Sequence, residues 1–375
     1  MARLSVTLFQ PLQTSRRRQL LSEWQFGVRE VQAEFTTAID CGFDTATVRA
    51  PAVFEEVPLG TLLVGRADIE PFAHVEIRLG TQVVWLGRVT SYLMDRLRLA
   101  GFTATGYGRQ FDDRAWSGAA GTALGVLRQV LREVAPFIDL GPDSLVHDPS
   151  FTLTADQTRR LFLHELIQMV NKHGSVQGFP VACQIWDGPL MPQLVIVPRT
   201  PPREADIVIP PRDPGLQIDD IDLTQLTNLV TVTSGNQTTR VPANDAEVDY
   251  ATLRVIRETD LQMEAGTSAS QRTAYARSVL ASYGAIRVSG RWQTWGDVLT
   301  PSGATVPAHT VRAGMWALLP GVGTLQIMRT AYRWPDQVLE VQFGALSPDE
   351  RAARMYEDVA VSAYRRLSPL TWLRV

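Results

Sequence analysis

The clearest pattern of hydrophobic and polar positions lies at residues 311–344, which read without interruption as a strand meander. An apolar run at 311–319 ends in Pro320-Gly321-Val322-Gly323, a turn cluster whose glycines tolerate positive φ. A second strand is expected at 325–334, and Pro335-Asp336 forms a turn. Leu339, Val341 and Phe343 then alternate with Glu340 and Gln342, which predicts a strand with one buried and one wet face. Residues 74–99 follow the same grammar: Val75, Ile77 and Leu79 alternate with His74, Glu76 and Arg78, and Gly80-Thr81 is a two-residue hairpin loop. Laid side by side, Arg88, Tyr92, Asp95 and Leu97 match Arg329, Tyr332, Asp336 and Leu339 at offsets of 241, 240, 241 and 242. Internal duplication is one reading of these matches and chance identity the other.

Taken in order, residues 1–108 read as β throughout. Short β-prone runs at 4–9, 24–31, 35–39 and 44–49 precede the hairpins at 74–105, separated by Gly, Pro and Asp. Short strands leave vulnerable edges unless the sheet curls shut, so a closed or nearly closed barrel is expected. The inward phase changes from Leu97 and Leu99 to Phe102 and Ala104, predicting a bulge or bend at Gly101.

Residues 109–213 change character. Leu124, Leu127, Val130, Leu131 and Val134 recur at helical spacing. Thr154-Ala155-Asp156-Gln157 is a capping box opening a second helix, with Leu161, His164, Leu166 and Val170 near one stripe and Gly174 as its C-cap. A hairpin is expected from 179–186 and 193–197, then an extended polyproline linker through Pro198, Pro201, Pro202, Pro210, Pro211 and Pro214. Residues 214–344 return to β, with strands at 228–234 and 250–258. Ser268-Ala269-Ser270-Gln271 opens a helix that ends at Tyr283-Gly284, and a strand and the meander follow. Ser347-Pro348-Asp349-Glu350 starts a C-terminal helix with Ala352, Met355, Val359 and Leu367 as packing positions.

At 375 residues the chain exceeds what one growing core accommodates, so several domains are expected. With 45% hydrophobic and 20% charged residues the composition is that of a globular protein. No apolar run approaches the roughly 20 residues of a membrane span. The first residues lack the order of a signal peptide, so a soluble, unsecreted chain is expected. Cys41 and Cys183 stand far apart and fit neither a disulfide framework nor a zinc site. The basic residues are arginines apart from Lys172, and the net charge of -3 argues against a general nucleic-acid or membrane binder. Arg16-Arg17-Arg18 is the only basic run.

The chemistry expected of an enzyme does not assemble. His164-Glu165 and His173 sit on or next to one helix, but nine residues separate the histidines where a zinc pair needs four. Gly321-Val322-Gly323 lacks the third glycine and following helix of a phosphate cradle. His74, His147, His164, His173 and His309 have no neighbouring nucleophile in sequence, and Asp112-Asp113 and Asp219-Asp220-Asp222 are acid clusters without partners. The nine tryptophans would suit a carbohydrate platform, although their place in strand runs favours packing or a subunit interface. No catalytic residue, cofactor-binding residue or metal ligand is therefore assigned, and no cofactor is expected.

The order of parts (barrel, helical insert with hairpin, proline linker, second barrel with a helix ending in Tyr-Gly) resembles the hub proteins of phage tail tips and baseplates, a family shared with contractile injection systems. The resemblance is carried by Val75-Glu76-Ile77-Arg78 through Trp85-Leu86-Gly87-Arg88-Val89, by 229–234, by Ala281-Ser282-Tyr283-Gly284 and by Arg312-Ala313-Gly314-Met315-Trp316. It implies a mainly β fold with α insertions (α+β): a tube-like barrel at 1–108, an insertion domain and linker at 109–213, a second tube-like barrel at 214–344, and a C-terminal helix and tail at 345–375. It further implies a structural hub rather than an enzyme, a homotrimer presenting six similar barrels to a hexameric tail tube. Distal tail or tail tube proteins would adjoin one side and tip, spike or fibre proteins the other. The tape measure protein would be one candidate for a further partner, and DNA would pass through a central channel without specific binding. Such a protein is assembled in the host cytoplasm and resides in the virion tail tip, with no membrane insertion of its own. Against longer relatives, the expected lack of a domain after the C-terminal helix puts wall-degrading or receptor-binding roles in doubt. A wall hydrolase and a carbohydrate-binding tail adaptor are the competing readings. For a DNA channel the resemblance and the charge balance together imply an acidic or neutral wall, drawing on Asp219, Asp220, Asp222, Asp245, Glu247 and Asp249.

Overall fold

A computed structural model describes residues 3–10, 20–27, 30–51, 72–95, 98–109, 115–148, 151–176, 181–189, 191–199, 202, 204–222, 227, 229–242, 258–263, 265–283 and 287–344. The helix expected at 345–375 and the strand start expected at 250–257 lie outside them. The N-terminal part folds as β1 (Leu4–Phe9), β2 (Leu20–Phe26), β3 (Gln32–Ala38), β4 (Gly42–Arg49), β5 (His74–Leu79), β6 (Gln82–Asp95) and β7 (Arg98–Gly106). The hairpin loop at Gly80 has φ of 61°, as a Gly-led turn requires. β4 pairs with β7 and β3 with β4, so the sheet order is β3-β4-β7-β6-β5, all antiparallel, and β1 and β2 extend it beyond β5. Gly101 marks a bend as expected: the β6–β7 register shifts between Leu93 and Met94, opposite Gly101 and Leu99. A Cβ at Gly101 would stand 2.0 Å from the Val48 carbonyl oxygen, which is why no side chain fits there.

One expectation about β5 is overturned. His74 and Glu76, read as its wet face, are buried, and so is Arg88 opposite His74. The cause is a cover supplied by the middle of the chain: the Phe137 ring lies 5.0 Å from the His74 ring and 4.6 Å beneath the Arg88 guanidinium. His74 Nδ1 and the Tyr107 hydroxyl complete the contact at 2.7 Å. Burial of both faces follows from packing that no local alternation reveals.

The middle segment holds α1 (Ala123–Glu133) and α2 (Leu163–Val176), then β8 (Val181–Trp186) and β9 (Gln193–Pro198), an antiparallel hairpin. Thr122 Oγ1 caps α1 by accepting the Gly125 N–H, and Val126, Leu127, Val130 and Leu131 bury its inner face. The Thr154–Gln157 capping box forms, but it caps only the single turn Ala155–Thr158. Arg160 then adopts φ of 59°, and α2 starts afresh, with the Glu165 carboxylate accepting the Phe162 N–H. Gly174 lies inside α2 and is not its C-cap. The proline-rich segment is extended, yet Ile207 and Ile209 are buried, and Ile207–Val208 pairs in parallel with the strand at Trp316–Leu319. Backbone pairing thus pins a stretch that composition alone presents as a free linker.

The C-terminal part contains β10 (Leu216–Asp222), a small sheet of β11 (Leu229–Ser234), β12 (Gln237–Pro242) and β13 (Glu258–Met263), α3 (Ala269–Tyr283), β14 (Arg287–Trp295), β15 (Trp316–Leu319), β16 (Gly323–Trp334) and β17 (Val338–Phe343). The Ser268 capping box is present: Ser268 Oγ accepts the Gln271 N–H while Gln271 Oε1 accepts the Ser268 N–H. α3 covers the small sheet with a core of its own, built on Val230, Val232, Ala276 and Leu280. Residues 311–315, expected in strand, approach β16 as turns. The large sheet has the order β10-β14-β17-β16-β15, all antiparallel.

This order repeats the first one. In chain order, β3, β4, β5, β6 and β7 correspond to β10, β14, β15, β16 and β17, and every neighbour relation is the same. The duplication therefore exists in topology. The bulges correct its alignment: the bulged residue is Thr90 in β6 and Met328 in β16, an offset of 238 (328 − 90). Arg329 corresponds to Ser91 and not to Arg88.

No barrel closes among the described strands. The ladders run as one open path, β2-β1-β5-β6-β7-β4-β3-β16-β17-β14-β10, because β3 pairs with β16 of the other five-stranded set instead of curling back on its own. A single core follows the path, including Leu4, Phe26, Trp85 and Phe102 on one side and Trp292, Ile327, Leu339 and Phe343 on the other.

Candidate functional site

The groups considered for catalysis are spread through the packing. His164 is buried, with its ring stacked on Phe162, and Glu165 serves as the N-terminal partner of α2. His309 sits edge-on to Tyr332 with ring centroids 5.9 Å apart. Asp219 receives Arg291 at 3.2 Å. Asp112-Asp113, Arg16-Arg17-Arg18, Asp245, Glu247 and Asp249 lie outside the described residues. Among the described residues no group of three His, Cys, Asp or Glu side chains could hold a metal ion, and no helix is long and apolar enough to cross a membrane. Trp85, Trp116, Trp292 and Trp334 are buried, Trp24, Trp186 and Trp316 are half-buried, and Trp295 is 61% exposed. Cys183 is enclosed, and burial pushes its thiol up to about 12.

What the sequence separates and the fold brings together is a polar seam between the two sets. β3 lies along β16 with Ala38 opposite Arg329 and Ala33 opposite Trp334. At its centre the Thr37 and Thr330 hydroxyls meet at 2.6 Å, and Thr37 Oγ1 also accepts the Ala313 N–H at 2.8 Å. Asp44, fully buried on β4, faces Arg329 Nη2 at 3.1 Å and Arg109 Nε at 3.0 Å. Burial draws the Arg109 guanidinium down, but Asp44 foremost, with Cys41 and Asp40, outweighs it and leaves its pKa raised. A carboxylate with two arginines is a satisfied buried charge, unlike one removed from water alone.

Arg312 closes the second half of the seam. Its guanidinium stands 5.2 Å from the Phe43 ring centroid and 5.1 Å from that of Trp186, donates to Asp187 Oδ1 at 2.6 Å and donates to the Val83 carbonyl at 3.0 Å. Gln184 on β8 adds amide donations to the Ile39 and Ala313 carbonyls and accepts the Trp186 indole N–H. The Arg312-Ala313-Gly314-Met315-Trp316 segment, singled out in sequence, is thus the clasp of the seam. The distant partners Asp44, Gln184 and Asp187 carry no local signal. These are groups that hold surfaces in register; among the described residues of the seam no nucleophile, base and orienting group converge.

Stretches of strand edge without a ladder among the described residues bear exposed apolar side chains, two of them on β10 and β6. One is the outer edge of β10, with Ile218 38% exposed. The other is the part of β6 beyond Val89 on the side of β5, with Met94 43% exposed. The outer edge of β2 likewise carries no ladder among the described residues, with Leu20 59% exposed.

No protein-family model matches the chain, and no curated protein matches it in sequence. Solved structures share its fold. A prophage tail protein of Listeria monocytogenes is similar with a TM-score of 0.56 and 12% identity, over 95% of this chain and 98% of that one. The 43 kDa tail protein of prophage MuSo2 from Shewanella oneidensis is similar with a TM-score of 0.53 and 12% identity, over 92% of this chain and 98% of that one. A tail protein of Neisseria meningitidis gives 0.53 and 11%, over 91% and 96%. The chain has the fold of these phage tail proteins.

Proposed function

We propose that this chain is a structural component of a phage tail, the homotrimeric hub of a tail tip or baseplate, and not an enzyme. The reading is carried by a fold likeness to tail proteins that spans nearly the full length of both partners. It is supported by the duplicated five-stranded sets, since a trimer of a duplicated chain offers six similar units to a sixfold tube. In this proposal the sets are the tube-like units of residues 1–108 and 214–344, with 109–213 as insertion and linker and 345–375 as tail. Tail or tube proteins adjoin one side, tip proteins the other, and DNA passes through without specific contacts. Asp219, already held by Arg291, is one acid available to the channel wall.

Light scattering across a concentration range, combined with class-averaged electron micrographs, tests the reading. A ring of three copies is expected. A chain that stays monomeric alone and in the presence of tail proteins overturns it, and reproducible turnover of peptidoglycan that is lost on changing His164 or Glu165 would favour a wall hydrolase.

A further inference from the structure

β15 is extended on its outer side by three short strands. Ile207–Val208 pairs with it in parallel, Asp297–Leu299 pairs with Ile207–Val208, and Thr305–Pro307 pairs with Asp297–Leu299. One face of this extension enters the core through Val298, Ile207, Ala317 and Leu319. On the other face the register sets an apolar row: Leu299 lies opposite Val208, Val208 opposite Leu318, and Leu318 opposite Thr324 at the start of β16. Leu299 is exposed, Val208 and Leu318 are half-buried, and the turn after β15 adds the exposed Val322.

The last part of the chain sets out beside this row. The described residues stop at Gly344, whose N–H donates to the Gln326 carbonyl at 3.2 Å, two residues along β16 from Thr324. Gly344 has φ of 93°, and a Cβ there would stand 2.1 Å from the Val288 carbonyl oxygen, so the chain turns out of β17 at a position that suits glycine alone. At that exit Gln326 Nε2 is buried and has no acceptor among the described residues. A buried donor of this kind calls for a partner.

We propose that residues 345–375 cover the row in their own chain, with the helix expected from Ser347 laid across the strands. Ala352, Met355, Val359 and Leu367 then face Leu299, Val208 and Leu318. The dimensions agree: five strands, from Thr305–Pro307 to β16, span about 19 Å at their usual spacing, and the stripe from Ala352 to Leu367 is about 22 Å long as a helix. Glu350, Arg354, Glu357 and Asp358 fall on the opposite side of such a helix and stay in water. The proposal needs no oligomer and stands apart from the hub reading.

The full chain carrying Leu299→Cys tests it, because the native Cys41 and Cys183 are buried. A maleimide should label this site about 10-fold more slowly than Trp295→Cys, an exposed reference on the same chain. Adding Met355→Asp and Val359→Asp to Leu299→Cys changes only the covering segment and should bring labelling to the reference rate. Labelling at the reference rate without the aspartates, or slow labelling that they leave unchanged, overturns the proposal. Leu299→Cys combined with Val359→Cys should, on mild oxidation, consume both thiols while the chain still runs as a single chain on a non-reducing gel. Links between chains would assign the cover to a neighbouring copy and overturn it too. The hub reading is decided separately, by mass in solution.

Discussion

Trp85 has no exposed surface and lies with its ring 6.4 Å from Phe43, whereas the Trp316 ring is half-buried and its backbone N–H is bound by Asp206. Of these two strand-run tryptophans only the first is an interior position. Trp85→Ala should therefore lower stability by about 3–5 kcal/mol in urea denaturation, and Trp316→Ala clearly less. Equal losses would show that the half-exposed ring carries more packing than its surface suggests. The His309–Tyr332 contact predicts a pH dependence at both ends. Burial, helped by Arg312 and opposed by Asp297, lowers the His309 pKa below 6.5. The neutral ring is the folded form, so this stability is present above pH 6.5 and lost as pH falls through the lowered value. Burial pushes Tyr332 from 10.0 up to about 12, so its contribution is present below pH 10.0 and lost as pH rises to about 12. Denaturation midpoints measured against pH should fall at both limits, and His309→Gln should flatten the acid limb alone.

At the scale of elements, the pairing of β3 with β16 depends on groups far apart in sequence. Asp44→Ala removes the carboxylate between Arg329 and Arg109. Both arginines are about a third exposed and can turn toward water, which limits the loss to about 1.5–3 kcal/mol. A change within 0.5 kcal/mol would show that the threonine pair and Arg312 hold the seam unaided. Gly101→Ala should be worse tolerated than its size implies, at about 3 kcal/mol, because the added methyl meets the Val48 carbonyl across the β4–β7 ladder. Thermal unfolding of the two variants separates a seam effect from a within-sheet effect.

For the whole molecule, the expected mass in solution is three times 41.5 kDa. The assembled ring should show no retention of duplex DNA at physiological salt, since a conduit that binds phosphates slows their passage. Tight, salt-sensitive binding by the trimer would remove the channel from the proposal. The large sheet also explains why the two halves are not independent in this fold. Its path crosses from one set to the other through a shared core, so a lesion in β16 reaches both sets.

The sequence by itself determined the elements whose signals are local: the β5–β6 hairpin, the meander at β15–β17, the apolar stripe of α1, the capping box of α3, and the bend at Gly101. Period and turn chemistry act within a few residues and survive into any packing. It also made repetition visible, though through four matched residues at the wrong offset; the correspondence lies in pairing order and in the bulge that β6 and β16 share. Tertiary structure alone decided that β3 would join β16 and leave no closed barrel among the described strands, that His74 and Arg88 would be covered by Phe137, that Asp44 would meet Arg329 and Arg109, and that Arg312 would meet Asp187. Those outcomes depend on which surface arrives from a distant part of the chain, and long-range burial leaves no periodic mark at the residue it covers.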